Sequence, residues 1–374
     1  MSADIIAVQE VKTKKDLKAF LHFPWRIYRG DPNWVPPLLK EYAFHFSLRN
    51  PFLHHAQIVP YVAIKDGSIK GRIAAIIDRN YIDFHHEETG FFGFFESVND
   101  PSVTHALLDQ VKGFLRNRDL KTVMGPVNPS TNDECGLLID GFGSSPCFMM
   151  PYNPHYYQGL LEGCGLKKAK DLYANSMYTD NGLPDRIRRI GRHAAARIPG
   201  LTIRPINIKR LDEEVILVKE VYDGAWRNNW GFVPLTDEEM DLMVNRLKSL
   251  LVPDLVLFAS IGNKTVGFAM ALPDYNSVIK RLNGRLGPLG LLKFLYYSRR
   301  INTVRVMLLG VKAEYRKRGI DAILYTELFL RGLALGYTRG ELSWILEDNH
   351  LMQKGIDALG GKRYKTYRIF QSPL

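Results

Sequence analysis

The chain has 374 residues, 46% of them hydrophobic, which suffices for substantial cores and predicts two or three domains rather than a disordered polymer. A balance of 50 Lys and Arg against 39 Asp and Glu gives +11 and a pI near 9.4, which suits anionic partners such as nucleotide phosphates, nucleic acid or acidic lipid headgroups without choosing among them. Cys135, Cys147 and Cys164 fit neither a disulfide framework nor a C-x-x-C metal knuckle, and the chain shows neither a signal-peptide apolar region nor a run of about 18 apolar residues; a cytoplasmic protein is expected.

From the N terminus, RGDPNWVPPLLKE (Arg29 to Glu41) is too rich in Pro for regular structure and is expected to pack across the first half. YVAIKDGSIKGRIAAII (Tyr61 to Ile77) alternates as two strands around Asp66-Gly67, a strong hairpin signal. HHEE, His85 to Glu88, is read as strand residues on opposite faces, so no metal is expected there. Gly90 to Ser97 reads as an apolar strand, and Asp100-Pro101 as the start of a helix. NPSTNDECG (Asn128 to Gly136) gathers polar groups that either line an acceptor pocket or form an Asx-rich structural loop. The segment beginning at Asn153 reads as an Asn-capped helix, a Gly stop and a strand. Gly, Pro and Arg then cluster over Asn181 to Pro205, which places a junction between domains 1–190 and 191–374.

In the second half, DGAWRNNWGFVP (Asp223 to Pro234) either offers Trp226 and Trp230 to a ligand or packs both on one helical face. A second hairpin, Leu255 to Leu272, turns at Gly262-Asn263. The following stretch, residues 276–302, carries six cations and no acid among Leu, Phe and Tyr. That mixture suits a helical hairpin capping the core or an interfacial segment facing anionic lipid. Val304 to Val311 is apolar enough for a buried strand, and Gly319 to Leu335 has helical spacing before Gly336 ends it. ELSWILEDNH (Glu341 to His350) ends a strand, with Glu341, Ser343, Ile345 and Glu347 on one face and Leu342, Trp344 and Leu346 on the other. A second Asn-capped helix begins at Asn349. Gly71 to Asn153 and Gly267 to Asn349 span the same 82 positions, at one offset of 196, which points to duplication. Each half then gives an α/β fold of α+β character, a mixed sheet with helices on its faces.

The basic turn between the last apolar strand and its helix carries the chemistry. The first amides of a helix have no internal partner and carry partial positive charge, so a pyrophosphate there accepts several hydrogen bonds. Gly319 permits close approach, and Lys312, Arg316, Lys317 and Arg318 outnumber Glu314. A solvated basic turn is the alternative on this observation alone. RKRGIDAIL resembles the acyl-CoA-binding motif of the GNAT acyltransferase superfamily, and NHLMQKGIDALGG resembles its Asn-started, Gly-ended helix. The likeness is clear over about Leu255 to Phe370, with the first half a degenerate second copy that lacks the phosphate turn. The combination of DPNWVPP, FFGFFE, GPVNPSTNDECG, NWGFVP, NGRLGPLGLLK, RGIDA and SWILEDN resembles, over nearly the whole chain, the bacterial GNAT-like group that includes bacterial ceramide synthases.

That resemblance implies one acyl-CoA site, in the second half. The strand Leu308 to Val311 should splay from its neighbour so that pantetheine pairs with its backbone, and an amide of Gly310 or Val311 then faces the oxyanion. Cofactor contacts fall on Leu309, Gly310, Val311, Arg316, Lys317, Arg318, Gly319, Ile320, Asp321, Ala322 and Asn349. Two departures stand out: Asp321 occupies the second small position of the phosphate turn, and Ile356 occupies the place of the family's general-acid tyrosine. Tyr364 or Tyr367 could substitute, although each also reads as an ordinary strand aromatic. An ammonium acceptor must lose a proton, and Glu347 ranks first and Asp348 second as its acceptor, beside Asn349; capping or surface roles are the alternative. The expected function is acyl-CoA-dependent N-acylation of a primary amine, such as a sphingoid base, without metal or nucleic acid. Residues 276–302 would meet the inner face of the cell membrane. A catalytically silent acyl-CoA-binding module and a basic nucleic-acid-binding protein are the alternatives.

Overall fold

The computed structural model describes residues 6–179, 182, 185, 188–189 and 196–374; the expected junction at 190/191 lies outside them. The chain divides into two compact units. Unit 1 takes residues 1–172, 278–295 and 365–374, and unit 2 takes residues 173–277 and 296–364.

Unit 1 is built on β1 (Ala7–Glu10), β2 (Ala56–Lys65), β3 (Ser68–Asp78), β4 (Thr89–Ser97) and β5 (Thr122–Gly125), neighbours in that order. Asp66 and Gly67, with φ of 52° and 67°, turn β2 into β3 at the Lys65–Ser68 pair, as the sequence predicts. Helix α1 (Pro101–Arg116) crosses from β4 to the parallel β5; Asp100 caps it by accepting from Ser102 N, and Pro101 stands at its first position. Val103, Leu107, Leu108, Val111 and Leu115 recur at helical spacing and bury against the sheet. The N-terminal extension joins this core, with Tyr28 stacked on Trp34 at 4.8 Å.

Asn153 does not cap the next helix, α2 (Tyr157–Gly163), whose N-cap is Tyr156. Its buried amide instead accepts from Leu138 N at 2.7 Å and donates to Leu138 O at 3.0 Å, in the short strand Leu137–Asp140. His85 and His86 lie at the end of a short helix, Arg79–His85, rather than in a strand. Among the described residues no group of His, Cys, Asp and Glu is arranged to hold a metal.

The strand β6 (Lys167–Tyr178) begins in unit 1 and ends in unit 2. Unit 2 orders β7 (Leu201–Pro205), β8 (Val256–Ile261), β9 (Lys264–Pro273), β10 (Thr303–Val311) and β11 (Arg339–Leu346) as neighbours. Helix α3 (Leu211–Trp226) packs on β9 and β10, and α4 (Asp237–Leu247) starts in a capping box of Thr236 and Glu239. Trp226 ends α3 and Trp230 lies in the turn beyond, so the two do not share a helical face; Trp226 stacks on Tyr222 instead, at 5.3 Å.

After β9 come α5 (Asn276–Leu282) and α6 (Pro288–Ser298). Val278, Ile279 and Leu282 are buried in unit 1, where Gly284 lets the Trp25 ring approach so closely that a Cβ would stand 2.6 Å from it. Helix α6 has no buried side chain. Helix α7 (Ile320–Ala334) joins β10 to the parallel β11, and α8 (His350–Ala358) leads into β12 (Lys362–Pro373). The end of β12 pairs antiparallel with β5, Phe370 opposite Gly125, and so completes unit 1. Within that unit Arg368 makes a two-pronged contact with Asp171, at 2.8 and 3.0 Å, and buried Lys365 donates to the carbonyls of Gly141 and Ser144.

Candidate active site

The basic turn forms as its sequence demands. Lys317 adopts φ of 61°, and Gly319, at φ of 83°, is the N-cap of α7. Glycine has no side chain with which to cap, so the first amides of α7 are left to solvent or a ligand. Lys317, Arg318 and Asp321 are exposed around this mouth. Arg316 is committed elsewhere: its Nε donates to Val311 O at 3.1 Å and its Nη2 to Ala225 O at 2.6 Å, which ties the turn to α3. Lys312 pairs with Glu220, and the Arg318 guanidinium lies 5.4 Å from the Tyr315 ring centre. Ile320 is buried and Ala322 half-buried, so these two serve the mouth through backbone rather than side chain.

The adjoining strands separate. β10 and β11 pair in parallel from Thr303 with Arg339 to Val306 with Leu342, and no further rung joins them among the described residues. The register of β10 against β9 slips where Met270 faces Leu308 and Ala271 faces Val306, so Met307 is the extra residue of a bulge. Met307, Leu308 and Leu309 are therefore only half-buried in mid-sheet, and Gly310 and Val311 are buried. A Cβ on Gly310 would lie 2.4 Å from the Trp226 ring, so the glycine lets α3 sit directly on β10. The α7 side of the strand pair carries an apolar cleft lined by Val306, Tyr325, Phe329, Leu333 and Leu342. Burial, followed by the charge of Asp321 one turn earlier, holds the Tyr325 hydroxyl well above its usual pKa, so it stays protonated.

Beyond β11, Glu347 and Asp348 occupy the turn into α8, half-buried and exposed respectively. Gln353 Nε2 donates to the Glu347 carbonyl at 2.8 Å, and Asn349 caps α8 by accepting from Met352 N at 3.2 Å. The predicted alternation along β11 fails at Ile345, which enters the same apolar cluster as Leu342, Tyr325 and Phe329 instead of sharing the Glu341 face.

The sequence reading put Glu341 and Ser343 on one face and offered Tyr364 as an acid, but missed Arg305 and the buried polar group that the four form at the point of separation. Arg305 Nε donates to Ser343 Oγ at 2.9 Å, and Ser343 Oγ donates to Glu341 Oε1 at 2.7 Å. The Tyr364 hydroxyl donates to Glu341 Oε2. Arg305 and Ser343 are 3% exposed and Glu341 is fully buried. The available signal was a lone arginine inside the apolar run TVRVMLLGV.

The corresponding place in unit 1 is closed. β4 pairs with β5 from Thr89 to Phe91, and beyond that the two-residue strand Val127–Asn128 enters the gap. Phe94 N donates to Asn128 Oδ1 at 2.6 Å, and a Cβ on Gly93 would lie 1.7 Å from the Val127 carbonyl oxygen. Every residue of β4 is buried. Behind it Glu96 accepts from Tyr157 at 2.7 Å and lies 3.5 Å from Arg72.

No family model matches the chain. Two curated sequences match it over nearly its whole length. Protein YghO of Escherichia coli strain K12 is 35% identical over 375 residues, covering 98% of this chain and 95% of that protein. The bacterial ceramide synthase of Caulobacter vibrioides is 34% identical over 378 residues, covering 99% and 98%. Among solved structures, a tandem GNAT protein from the clavulanic acid biosynthesis pathway superposes with a TM-score of 0.57 at 11% identity, over 99% of this chain and 98% of that one. A GCN5-related N-acetyltransferase from Sphaerobacter thermophilus gives 0.52 at 15% identity, over 98% and 95%. The uncapped helix mouth, the separated parallel strands and the likeness over nearly the whole chain agree: the chain belongs to the family of YghO and the bacterial ceramide synthase, and its fold is that of the tandem GNAT proteins.

Proposed function

We propose that this protein transfers a long acyl group from a CoA thioester to the primary amine of a lipid-like acceptor such as a sphingoid base. The observation that carries the reading is the pairing, in one half only, of an uncapped helix start with a parallel strand pair that opens beside it. A diphosphate at Gly319 to Ala322 accepts from the free amides, and an extended pantetheine pairs with the backbone of residues 307–311, of which Met307 to Leu309 are half-buried. The relative named a ceramide synthase favours a long acyl chain and a sphingoid acceptor. The proton acceptor belongs to β11 or the turn after it, where Glu347 and Asp348 are the carboxylates nearest the start of α8.

The acceptor's source follows from α6. Leu289, Leu292 and Leu295 are 76%, 65% and 55% exposed, and Arg285, Lys293, Arg299 and Arg300 flank them without an acid. Exposed leucines cost free energy in water and gain it at a lipid interface, while the cations favour anionic headgroups. These features support a peripheral place on a membrane; among the described residues no helix is long and apolar enough to cross one. Flotation with anionic vesicles should capture the wild type, with neutral vesicles capturing less, and Leu289→Ser with Leu292→Ser should abolish capture. Equal capture of the double variant would refute the interfacial role.

Incubation with short- and long-chain acyl-CoAs and either a sphingoid base or simple amines, with amides detected by mass, tests the activity. Long-chain amide formation is expected. CoA release without amide would point instead to a silent acyl-CoA-binding module, the reading that the exposed Asp321 at the helix mouth favours.

A further inference from the structure

We infer that Ser343 and Glu341 form the route by which the acceptor amine loses its proton, with Arg305 and Tyr364 holding that route in place; this rests on the N-acyltransferase reading above. Val306 and Leu342 make the last rung between β10 and β11, and Ser343 is the next residue of β11. Its hydroxyl therefore stands where the strands begin to part, beside the bulge at Met307. It accepts from Arg305 Nε at 2.9 Å and donates to Glu341 Oε1 at 2.7 Å, while the Arg305 Nε to Glu341 Oε1 separation is 3.8 Å.

A buried carboxylate and guanidinium lose hydration that a pair of apolar residues would never have needed. Neighbouring positions of the same rungs are apolar, Val304 and Val306 on one strand and Leu342 on the other. Strand pairing alone gives no reason for an Arg, a Glu and a Ser at this vertex, and local rules fail mainly where function intervenes. The arrangement is suited to moving a proton. As the nitrogen attacks, its N–C bond forms and the C–S bond of the thioester breaks. The nitrogen's proton passes to Ser343 Oγ while the hydroxyl's own proton passes to Glu341. The departing thiolate takes a proton from water, and Glu341 returns its proton to water. Arg305 and Tyr364 are positioning residues, since each touches only Ser343 or Glu341 in this route.

The test uses the full chain and its Ser343→Ala, Glu341→Gln and Glu341→Asp variants, with palmitoyl-CoA and sphinganine as probes. Amide product is followed by mass, palmitoyl-CoA binding by calorimetry, and folding by thermal melting. Ser343→Ala and Glu341→Gln should lower kcat about 100-fold or more, the scale of a lost proton-transfer step. Palmitoyl-CoA affinity and melting temperature should stay near wild type, and Glu341→Asp should recover part of the rate. Should Glu341→Gln fail to fold, Ser343→Ala decides, because it leaves the Arg305 and Glu341 charges together. Wild-type kcat in Ser343→Ala overturns the inference, as does a loss that merely tracks melting or acyl-CoA affinity. If the wild type forms no amide, the N-acyltransferase reading itself fails and takes this inference with it.

Discussion

The two halves of the chain each follow a hairpin with a parallel strand pair, β4 with β5 and β10 with β11, and in both the rungs stop early. They differ in what fills the space beyond the last rung. In the first half Val127 and Asn128 enter it, and β4 is buried along its whole length. In the second, Met307 to Leu309 remain half-buried, and an uncapped helix begins nearby. A single segment, residues 125–136, thus accounts for the closure in the first half, while the strand order is the same in both. The two halves repeat one strand order, and they differ in what lies beyond the last rung of the parallel pair.

The sharpest way to break this comparison is to spoil the open copy. Gly319→Asp adds both a side chain at φ of 83° and a negative charge at the helix mouth. Acyl-CoA affinity should fall by on the order of 100-fold, about 3 kcal/mol. Asn tolerates the same backbone conformation without the charge, so Gly319→Asn should retain most of the binding seen by calorimetry. Equal losses in the two variants would assign the effect to backbone strain.

Spoiling the closed copy should do the opposite. In Gly93→Ala the new Cβ meets a backbone carbonyl at 1.7 Å, which no rotamer change relieves. A loss of about 3 kcal/mol in unfolding free energy is expected from such overpacking, with acyl-CoA affinity of the folded protein unchanged. Weakened binding in a fully folded variant would tie the first half to the cofactor.

A smaller effect comes from Glu96. Burial raises its pKa above the ordinary value of 4.5, and the Arg72 charge only partly offsets that. Its folded pKa is raised, so the folded state binds the proton more tightly than the unfolded chain does. The contribution of Glu96 to stability is therefore fully present below 4.5 and is lost as pH rises from there through the raised folded pKa. Glu96→Gln should flatten that portion of the melting temperature against pH curve; an unchanged slope would show that other groups set it.

The least costly change is at the exposed cations. Lys317→Ala and Arg318→Ala should each weaken acyl-CoA binding by about 0.5–1 kcal/mol, and less at high salt, because exposed charges are well screened. Arg316→Ala should act mainly through stability, since its donors hold Val311 and Ala225 carbonyls.

Much of this was legible in the sequence wherever the cause is local. Asp66-Gly67 and Gly262-Asn263 mark their hairpins because few other residue pairs adopt those turns. Gly319 marks its helix mouth for a similar reason, and Asp100-Pro101 marks the start of α1. What escaped depends on contacts between distant segments. The end of β12 has the same alternating pattern whichever strand it joins, and only tertiary pairing places it against β5. Asn153 carries the letters of a helix cap but serves the Leu138 backbone, and nothing near it in sequence announces that partner. Arg305, Glu341, Ser343 and Tyr364 come from three strands, so their meeting is visible only after the sheet is formed.

Hydrogen exchange with and without a long-chain acyl-CoA tests the central claim most directly. Amides of residues 307–311 and 319–322 should exchange more slowly in the complex, while those of Thr89–Ser97 and residues 125–136 should be unaffected. Protection confined to the first half, or no protection at the start of α7, would contradict the account.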